Sequence, residues 1–201
     1  ENIPPEGRFI FASNHPLGAL DGVALIRFFG HFYSGKIKFL VNDLLMHIKP
    51  LAPVFLPINK YGSQAKESSL QINNAYESDE QMLIFPAGLC SRLQHGKIKD
   101  LEWKKTFIAK AVQSQRDIIP IYFEGRNSTF FYRFAQIRKC IGLKFNIELI
   151  YLPDEMFNSK NKTFDIYIGK PIPWQTFDKS KSLQEWAQIV KEKVYQIKKN
   201  Q

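Results

Sequence analysis

Short apolar runs alternate along this chain with longer stretches in which apolar residues recur every three or four positions. The run Arg8 to Ala12 predicts a strand, and Gly22 to Phe32 predicts a helix, with Val23, Ile26 and Phe29 or Gly30 at helical spacing. Lys36 to Val41 reads as a strand, Asp43 to Ile48 as a short helix ending at Pro50, and Val54 to Ile58 as another strand. That last strand carries Pro57, which has no N–H for a ladder, so it is expected at an edge or to end early. Ser63 to Glu77 reads as a polar helix and Gln81 to Phe85 as a buried strand. Trp103 to Ser114 is amphipathic, Asp117 to Phe123 is a strand, and Thr129 to Cys140 is a helix rich in aromatic and basic residues. Lys144 to Leu152 and Thr163 to Ile168 read as strands, the first from its alternation. Leu183 to Ile197 closes the pattern as a helix with Leu183, Trp186, Val190, Val194 and Ile197 on one face.

Alternating strands and helices predict an α/β fold, with helices on both faces of a mostly parallel or mixed central sheet. Ligands of such sheets gather beyond the strand ends. Two loops there are rich in polar groups, one after Ala12 and one after Phe85. The length of 201 residues fits a single domain spanning residues 1–201, and 44% apolar residues suffice for a sizeable core. There is no internal repeat. No apolar run approaches the roughly 20 residues of a membrane span. The chain starts at Glu1 without Met, so a preceding segment such as a membrane anchor would lie outside it.

The formal net charge of +9 favours anionic partners: nucleic acid, anionic lipid headgroups or acidic carrier proteins. The chain has no Arg/Gly-rich tail, zinc spacing or aromatic ribonucleoprotein motif, which makes nucleic acid the weakest of the three. The two cysteines, Cys90 and Cys140, make no disulfide framework. His31, His47 and His95 read as surface or helix-end residues without metal spacing, so no metal site is expected.

The densest chemistry lies in Ser13-Asn14-His15-Pro16-Leu17-Gly18-Ala19-Leu20-Asp21-Gly22. A turn opened by Pro16 and Gly18 can present His15 at the sheet's mouth and fold Asp21 back beside it. A carboxylate on one ring nitrogen fixes the tautomer and raises the basicity of the other. Asp21 also suits the N-cap of the helix from Gly22. The second loop, Phe85-Pro86-Ala87-Gly88-Leu89-Cys90-Ser91-Arg92, has the same grammar, and Ser91 and Arg92 could meet an anion there. Lys104 and Lys105 add positive charge at a helix start, Ile119-Pro120-Ile121 could wall a site, and Glu124 to Ser128 is a further polar loop.

Asn14-His15-Pro16 with Asp21, Phe85-Pro86-Ala87-Gly88 with Ser91-Arg92, and Ile119-Pro120-Ile121 occur in an order that resembles the glycerolipid and lysophospholipid acyltransferases. The likeness is nearest to their bacterial branch acting on lysophospholipids or lyso-aminolipids. It spans roughly residues 8 to 125 and implies their α/β fold. It also implies transfer of a fatty acyl group from acyl-CoA or an acyl carrier protein to a lipid hydroxyl, with no cofactor beyond that donor and no metal. His15 would be the general base and Asp21 its orienting partner. Asn14, Phe85, Pro86, Gly88, Ser91 and Arg92 would line the substrate site. Lys60 is the cation nearest to where the family carries a phosphate-binding Arg. The implied partners are a lysolipid acceptor, the thioester donor and an anionic membrane surface, with no nucleic acid. The implied location is peripheral, on the cytoplasmic face of a bacterial membrane.

Three departures from the family pattern bear on the acceptor. Five residues separate His15 from Asp21 where the family has four, an insertion that a bulge at Gly18-Ala19 could absorb. Ala87 stands where the family has a Glu associated with the acceptor's glycerol, and Leu89-Cys90 replaces Thr-Arg. The implied acceptor is therefore a lysophosphatidic acid or a lyso-lipid with an amino-acid headgroup rather than glycerol 3-phosphate. Two other readings compete: an acyltransferase-like lipid-binding module that has lost turnover, and a thioester hydrolase using Cys90. For Thr129 to Lys139 two readings stand side by side. It is either a lipid-interface helix, or a helix burying Phe131, Phe134 and Ile137 on the sheet with Arg133, Arg138 and Lys139 in solvent.

Overall fold

The computed structural model describes residues 2–41, 45–46, 48–58, 63–143 and 145–198. Its main sheet is built from β1 (Phe9–Ser13), β2 (Ile37–Val41), β3 (Phe55–Pro57), β4 (Gln81–Ile84), β7 (Asp117–Phe123) and β8 (Ile166–Ile168). A separate hairpin pairs β5 (Arg92–Gln94) with β6 (Lys97–Lys99). The helices are α1 (Leu20–Phe32), α2 (Ser63–Glu77), α3 (Thr106–Ser114), α4 (Thr129–Cys140), α5 (Leu152–Phe157) and α6 (Leu183–Ile197).

The strand order is β3-β2-β4-β1-β7-β8, parallel except for β8. This is the mixed sheet the alternation predicts. The edge position expected for the Pro57 strand is where β3 lies. Period-two alternation sends the side chains of each central strand to two cores. Ile10, Ala12, Met82, Ile84 and Ile118 pack with Trp103, Phe107, Ile108, Val190 and Val194 beneath α3 and α6. Phe9, Phe11, Leu83, Ile119 and Ile121 pack with Leu25, Ile26 and Phe29 of α1 on the other face. β1 is buried at every residue and lies between β4 and β7, so the loops after β1 and β4 leave the same sheet edge side by side.

Pro120 sits inside β7, where a missing N–H ought to cost a ladder bond. The neighbouring chain is shaped to that gap. β8 pairs with Ile121 to Phe123, an isolated bridge joins Ile118 to Ile172, and between them Gly169 N–H donates to the Pro120 carbonyl. A Cβ on Gly169 would stand 2.9 Å from Pro120 Cγ, so the close approach requires glycine there.

The strand expected over Lys144 to Leu152 is absent: Ile147–Tyr151 is a 3-10 turn that runs into α5. The alternation misleads because its polar member is the one inside. Glu148 is fully buried between two arginines, while Phe145 and Ile150 are 81% and 76% exposed. Half of the helix expected over Asp43 to Ile48, His47 included, lies outside the described residues. In α4 the buried residues are Phe131, Tyr132 and Ala135, with Phe134 only half-buried and Ile137 in solvent. Arg138 turns inward to Glu148 instead of facing water.

A buried cation ends α2. The Arg116 guanidinium donates to the carbonyls of Ala75 and Tyr76 in the last turn of the helix and to those of Ser78 and Glu80 in the loop that follows. Burial lowers its pKa to about 10, which leaves it charged at neutral pH. Arg116→Met removes these bonds and strands several carbonyls. The expected cost is about 3 kcal/mol of unfolding free energy, read by urea denaturation; an unchanged midpoint would refute the capping role.

Candidate active site

The site is built where β1 stops. Asn14 follows the strand, and its amide clamps the end of β7. Its Oδ1 accepts from Phe123 N at 2.6 Å and its Nδ2 donates to the Phe123 carbonyl at 3.0 Å. Asn14 is thus buried and fully engaged with backbone, which fixes the exit direction of the chain into His15. Pro16 and Gly18 then turn it, with Gly18 at φ +83°, where a side chain would be strained and would also meet Leu152 and Cys90.

The turn carries the chain into α1, so Asp21 lies in that helix's first turn rather than at its N-cap, which is Ala19. Its fully buried carboxylate points back. Oδ2 lies 2.9 Å from His15 Nδ1 and accepts from Leu17 N at 2.9 Å and Gly18 N at 3.3 Å, while Oδ1 accepts from Gly22 N at 2.9 Å. Three backbone donors replace the water that burial removes, which is the condition for holding a charge there. The five-residue spacing therefore does not keep His15 from Asp21. The imidazole is 13% exposed and stacks on Phe85, centroid to centroid 3.8 Å, and Phe85 rests edge-on against Phe39. Phe85 begins the loop after β4, so the two loops meet face to face at the histidine.

A second buried carboxylate locks them together. Asp100 Oδ1 accepts from His15 N at 3.2 Å and from Ser91 Oγ at 2.6 Å, and Oδ2 accepts from Trp103 Nε1 at 2.9 Å. Ser91 N in turn donates to the His15 carbonyl at 2.7 Å. Burial pushes the Asp100 carboxyl up from its ordinary range, and the Ser91, Trp103 and His15 donors oppose that rise. Sequence reading missed Asp100. Its only local sign is a carboxylate three residues before a tryptophan whose N–H needs an acceptor when buried.

The other expected site residues divide by environment. Pro86 is buried, and its carbonyl accepts from Lys104 N at 3.0 Å. Gly88 is exposed at φ +69°, and a Cβ there would lie 2.8 Å from Lys104 Nζ. The Lys104 ammonium therefore arches over the second loop, with no hydrogen bond or ion pair among the described residues. Ser91 is buried and held by Asp100. Arg92 pairs with Glu148 at 2.8 Å, donates to the Cys90 carbonyl, and lies over the Phe131 ring. Glu148 also lies 2.8 Å from Arg138, so one buried carboxylate sits between two guanidiniums. Lys60 lies outside the described residues. Ala87, where a Glu was the family expectation, is buried in the apolar core that includes Trp103.

Cys90 is 2% exposed, and burial pushes its thiol up, against the pull of Arg92. That environment suppresses the thiolate a nucleophile needs. Among the described residues no group of three or more His, Cys, Asp or Glu could hold a metal ion. A cavity of about 270 Å³ adjoins the turn on the β7 side, lined in part by Asn14, Pro16, Ser91 and Tyr122. A larger cleft of about 390 Å³ lies between α4 and α5, lined by Phe130, Tyr151 and Phe157 among others.

The acyltransferase family model matches residues 1–201. The lyso-glycine lipid O-acyltransferase of Bacteroides thetaiotaomicron is 57% identical over 197 residues, covering 98% of this chain and 72% of that protein. The lyso-glycine lipid O-acyltransferase of Phocaeicola vulgatus is 54% identical over 197 residues, covering 98% of this chain and 71% of that protein. The crystal structure of the 1-acyl-sn-glycerophosphate acyltransferase PlsC from Thermotoga maritima superposes with a TM-score of 0.56 at 18% identity, covering 98% of this chain and 69% of that one. That likeness carries the fold. With a family match along the whole chain and relatives at this identity, the chain belongs to the acyltransferase family and is an enzyme of that class.

Proposed function

We propose that this enzyme acylates the hydroxyl of a lyso-glycine lipid, with a fatty acyl thioester as donor. The observation that carries the mechanism is the 2.9 Å contact between His15 Nδ1 and the buried Asp21 carboxylate. The names of two relatives above 50% identity support the acceptor. With Nδ1–H donated to Asp21, Nε2 keeps its lone pair for the substrate. Nε2 takes the proton as the acceptor oxygen attacks the thioester carbonyl. The tetrahedral adduct collapses with cleavage of the C–S bond. The imidazolium returns its proton to the departing thiolate, giving an ester and a free thiol. Asp21 holds the ring and stabilises its cationic form during that interval.

A glycine headgroup ends in a carboxylate, and the unpaired Lys104 ammonium over Gly88 is a suitable counterion for it. Ala87, packed in the core, fits the absence of a glycerol phosphate acceptor. The donor is acyl-CoA or an acyl carrier protein, both anionic and both suited to a chain of net charge +9. No cofactor beyond the donor is assigned. No helix among the described residues is long and apolar enough to cross a membrane. The reading therefore has this domain meet its lipid at a bilayer surface, peripherally, on the cytoplasmic face where the donors are.

In a radiolabelled acyl-transfer assay, His15→Ala is expected to lower kcat about 10²- to 10⁴-fold with the fold intact; near wild-type turnover would sink the assignment. Asp21→Asn offers the ring an amide donor, favours the wrong tautomer and should cost about 10⁴-fold in kcat. Lys104→Met should raise KM for the lyso-glycine lipid about tenfold while sparing kcat, and an equal effect on an acceptor without a carboxylate would contradict the headgroup role. Cys90→Ser should keep most of the activity, and its loss would favour the hydrolase reading instead.

A further inference from the structure

Among the described residues, eight of the fifteen large apolar side chains that are substantially exposed fall between Phe130 and Phe157. Scattered exposed apolar residues are ordinary, but a concentration of this kind marks a contact surface. Their arrangement follows from the sequence. Phe130, the half-buried Phe134 and Ile137 recur at helical spacing along one side of α4, Ile141 continues the spacing at its C-cap, and the other face buries Phe131, Tyr132 and Ala135. The misleading alternation after α4 then exposes Phe145 and Ile150 because Glu148 takes the inner position. Tyr151 stands edge-on to both Phe130 and Phe134 and joins α4 to the 3-10 turn.

The charges around this surface are predominantly positive, with Asp154 the one carboxylate left exposed, in the cleft between α4 and α5. Residues 126–162 hold seven Arg and Lys against three Asp and Glu, and the Glu148 carboxylate is consumed inside by Arg92 and Arg138. Glu155 is turned onto Ser128 at the N-cap of α4. Arg133, Lys139, Lys160 and Lys162 are exposed and make no ion pair among the described residues. Aromatic and aliphatic side chains interleaved with free cations match an anionic bilayer, whose headgroups attract the cations while the rings enter the acyl boundary.

We propose that the lobe running from Thr129 through α4, the 3-10 turn and α5 to Phe157 is the membrane-docking surface of this enzyme, and that it seats on anionic lipid. The lobe is wired to the site. Leu152 packs against Gly18 of the His15 turn, Asn127 Nδ2 donates to the Leu17 carbonyl, and Glu148 pairs with Arg92 of the second loop. Docking therefore holds the catalytic turn beside the membrane, so a lysolipid can reach His15 without leaving the bilayer. This last consequence rests on the proposed lipid acceptor; the docking itself is measured without it.

The test is sedimentation of the whole chain, with no acyl donor or acceptor, on vesicles of phosphatidylcholine alone or with phosphatidylglycerol added. Wild type is expected to bind the anionic vesicles, more weakly as salt rises. Ile137→Ser/Phe145→Ser/Ile150→Ser should lose at least about tenfold in partitioning. Arg133→Glu/Lys139→Glu should do the same, and both variants should retain their thermal melts and their turnover on detergent-dispersed lysolipid. The charge variant decides the matter if the apolar one fails to fold. Unchanged vesicle binding by the variants, or none by wild type, overturns the proposal. So does a wild-type oligomer that the variants dissolve while vesicles recruit neither, which would make the lobe an interface between copies. Intact vesicle binding without acyl transfer by wild type would refute the proposed reaction and leave the docking surface standing.

Discussion

Asp100 binds the His15 backbone, the Ser91 hydroxyl and the Trp103 indole at once, and the geometry of the site depends on that knot. The loops after β1 and β4 leave neighbouring strands, but neighbouring strands bring loops only within reach of each other. The buried carboxylate converts reach into a fixed register. It has little freedom of its own, because its backbone N–H donates to the Tyr195 hydroxyl of α6 and Trp103 is wholly buried beneath that helix. The C-terminal helix thus helps position a turn near the N-terminus through one ionisable group.

Two further buried carboxylates extend the same logic outward. Asp21 is satisfied by backbone N–H groups of the turn it orients, so the turn and its partner define each other. Glu148 is hydrogen-bonded through Oε1 to the Arg92 guanidinium of the second loop and faces Arg138 of α4 as an ion pair without hydrogen-bond geometry, tying the exposed lobe to the site. Breaking one side of such a pair leaves an uncompensated charge inside, which costs far more than an exposed pair is worth. The site is therefore assembled from mutually dependent polar knots set into two apolar cores, and its floor is aromatic: Phe85 under His15, braced by Phe39.

The periodicity of the sequence carried most of the fold because most elements bury one regular face. The strand Asp117 to Phe123 and the helices Ser63 to Glu77, Thr129 to Cys140 and Leu183 to Ile197 have the bounds their patterns predict. The reading failed where a polar residue was drawn inside by partners distant in sequence. Glu148 is 56 positions from Arg92, and no local pattern announces that pairing. The hairpin from Arg92 to Lys99 escaped notice because its strands are three residues each, too short to show alternation. His15 and Asp21 were legible because a short turn joins them, whereas Asp100 meets His15 across 85 positions. Arg92 looked like a free cation for a headgroup in sequence, while the structure engages it with Glu148. Lys104 read as one of two charges at a helix start and in the structure arches over the second loop.

The central claim is that Asp21 holds His15 with its Nδ1 protonated and its Nε2 free to take a proton from the acceptor. The most direct measurement is the 15N NMR spectrum of histidine-labelled protein, read for the neutral imidazole of His15 and assigned by its loss in His15→Gln. The account predicts a protonated Nδ1 and an unprotonated Nε2 in the wild type, and a shift toward the opposite tautomer in Asp21→Asn. A wild-type ring protonated at Nε2 would contradict it.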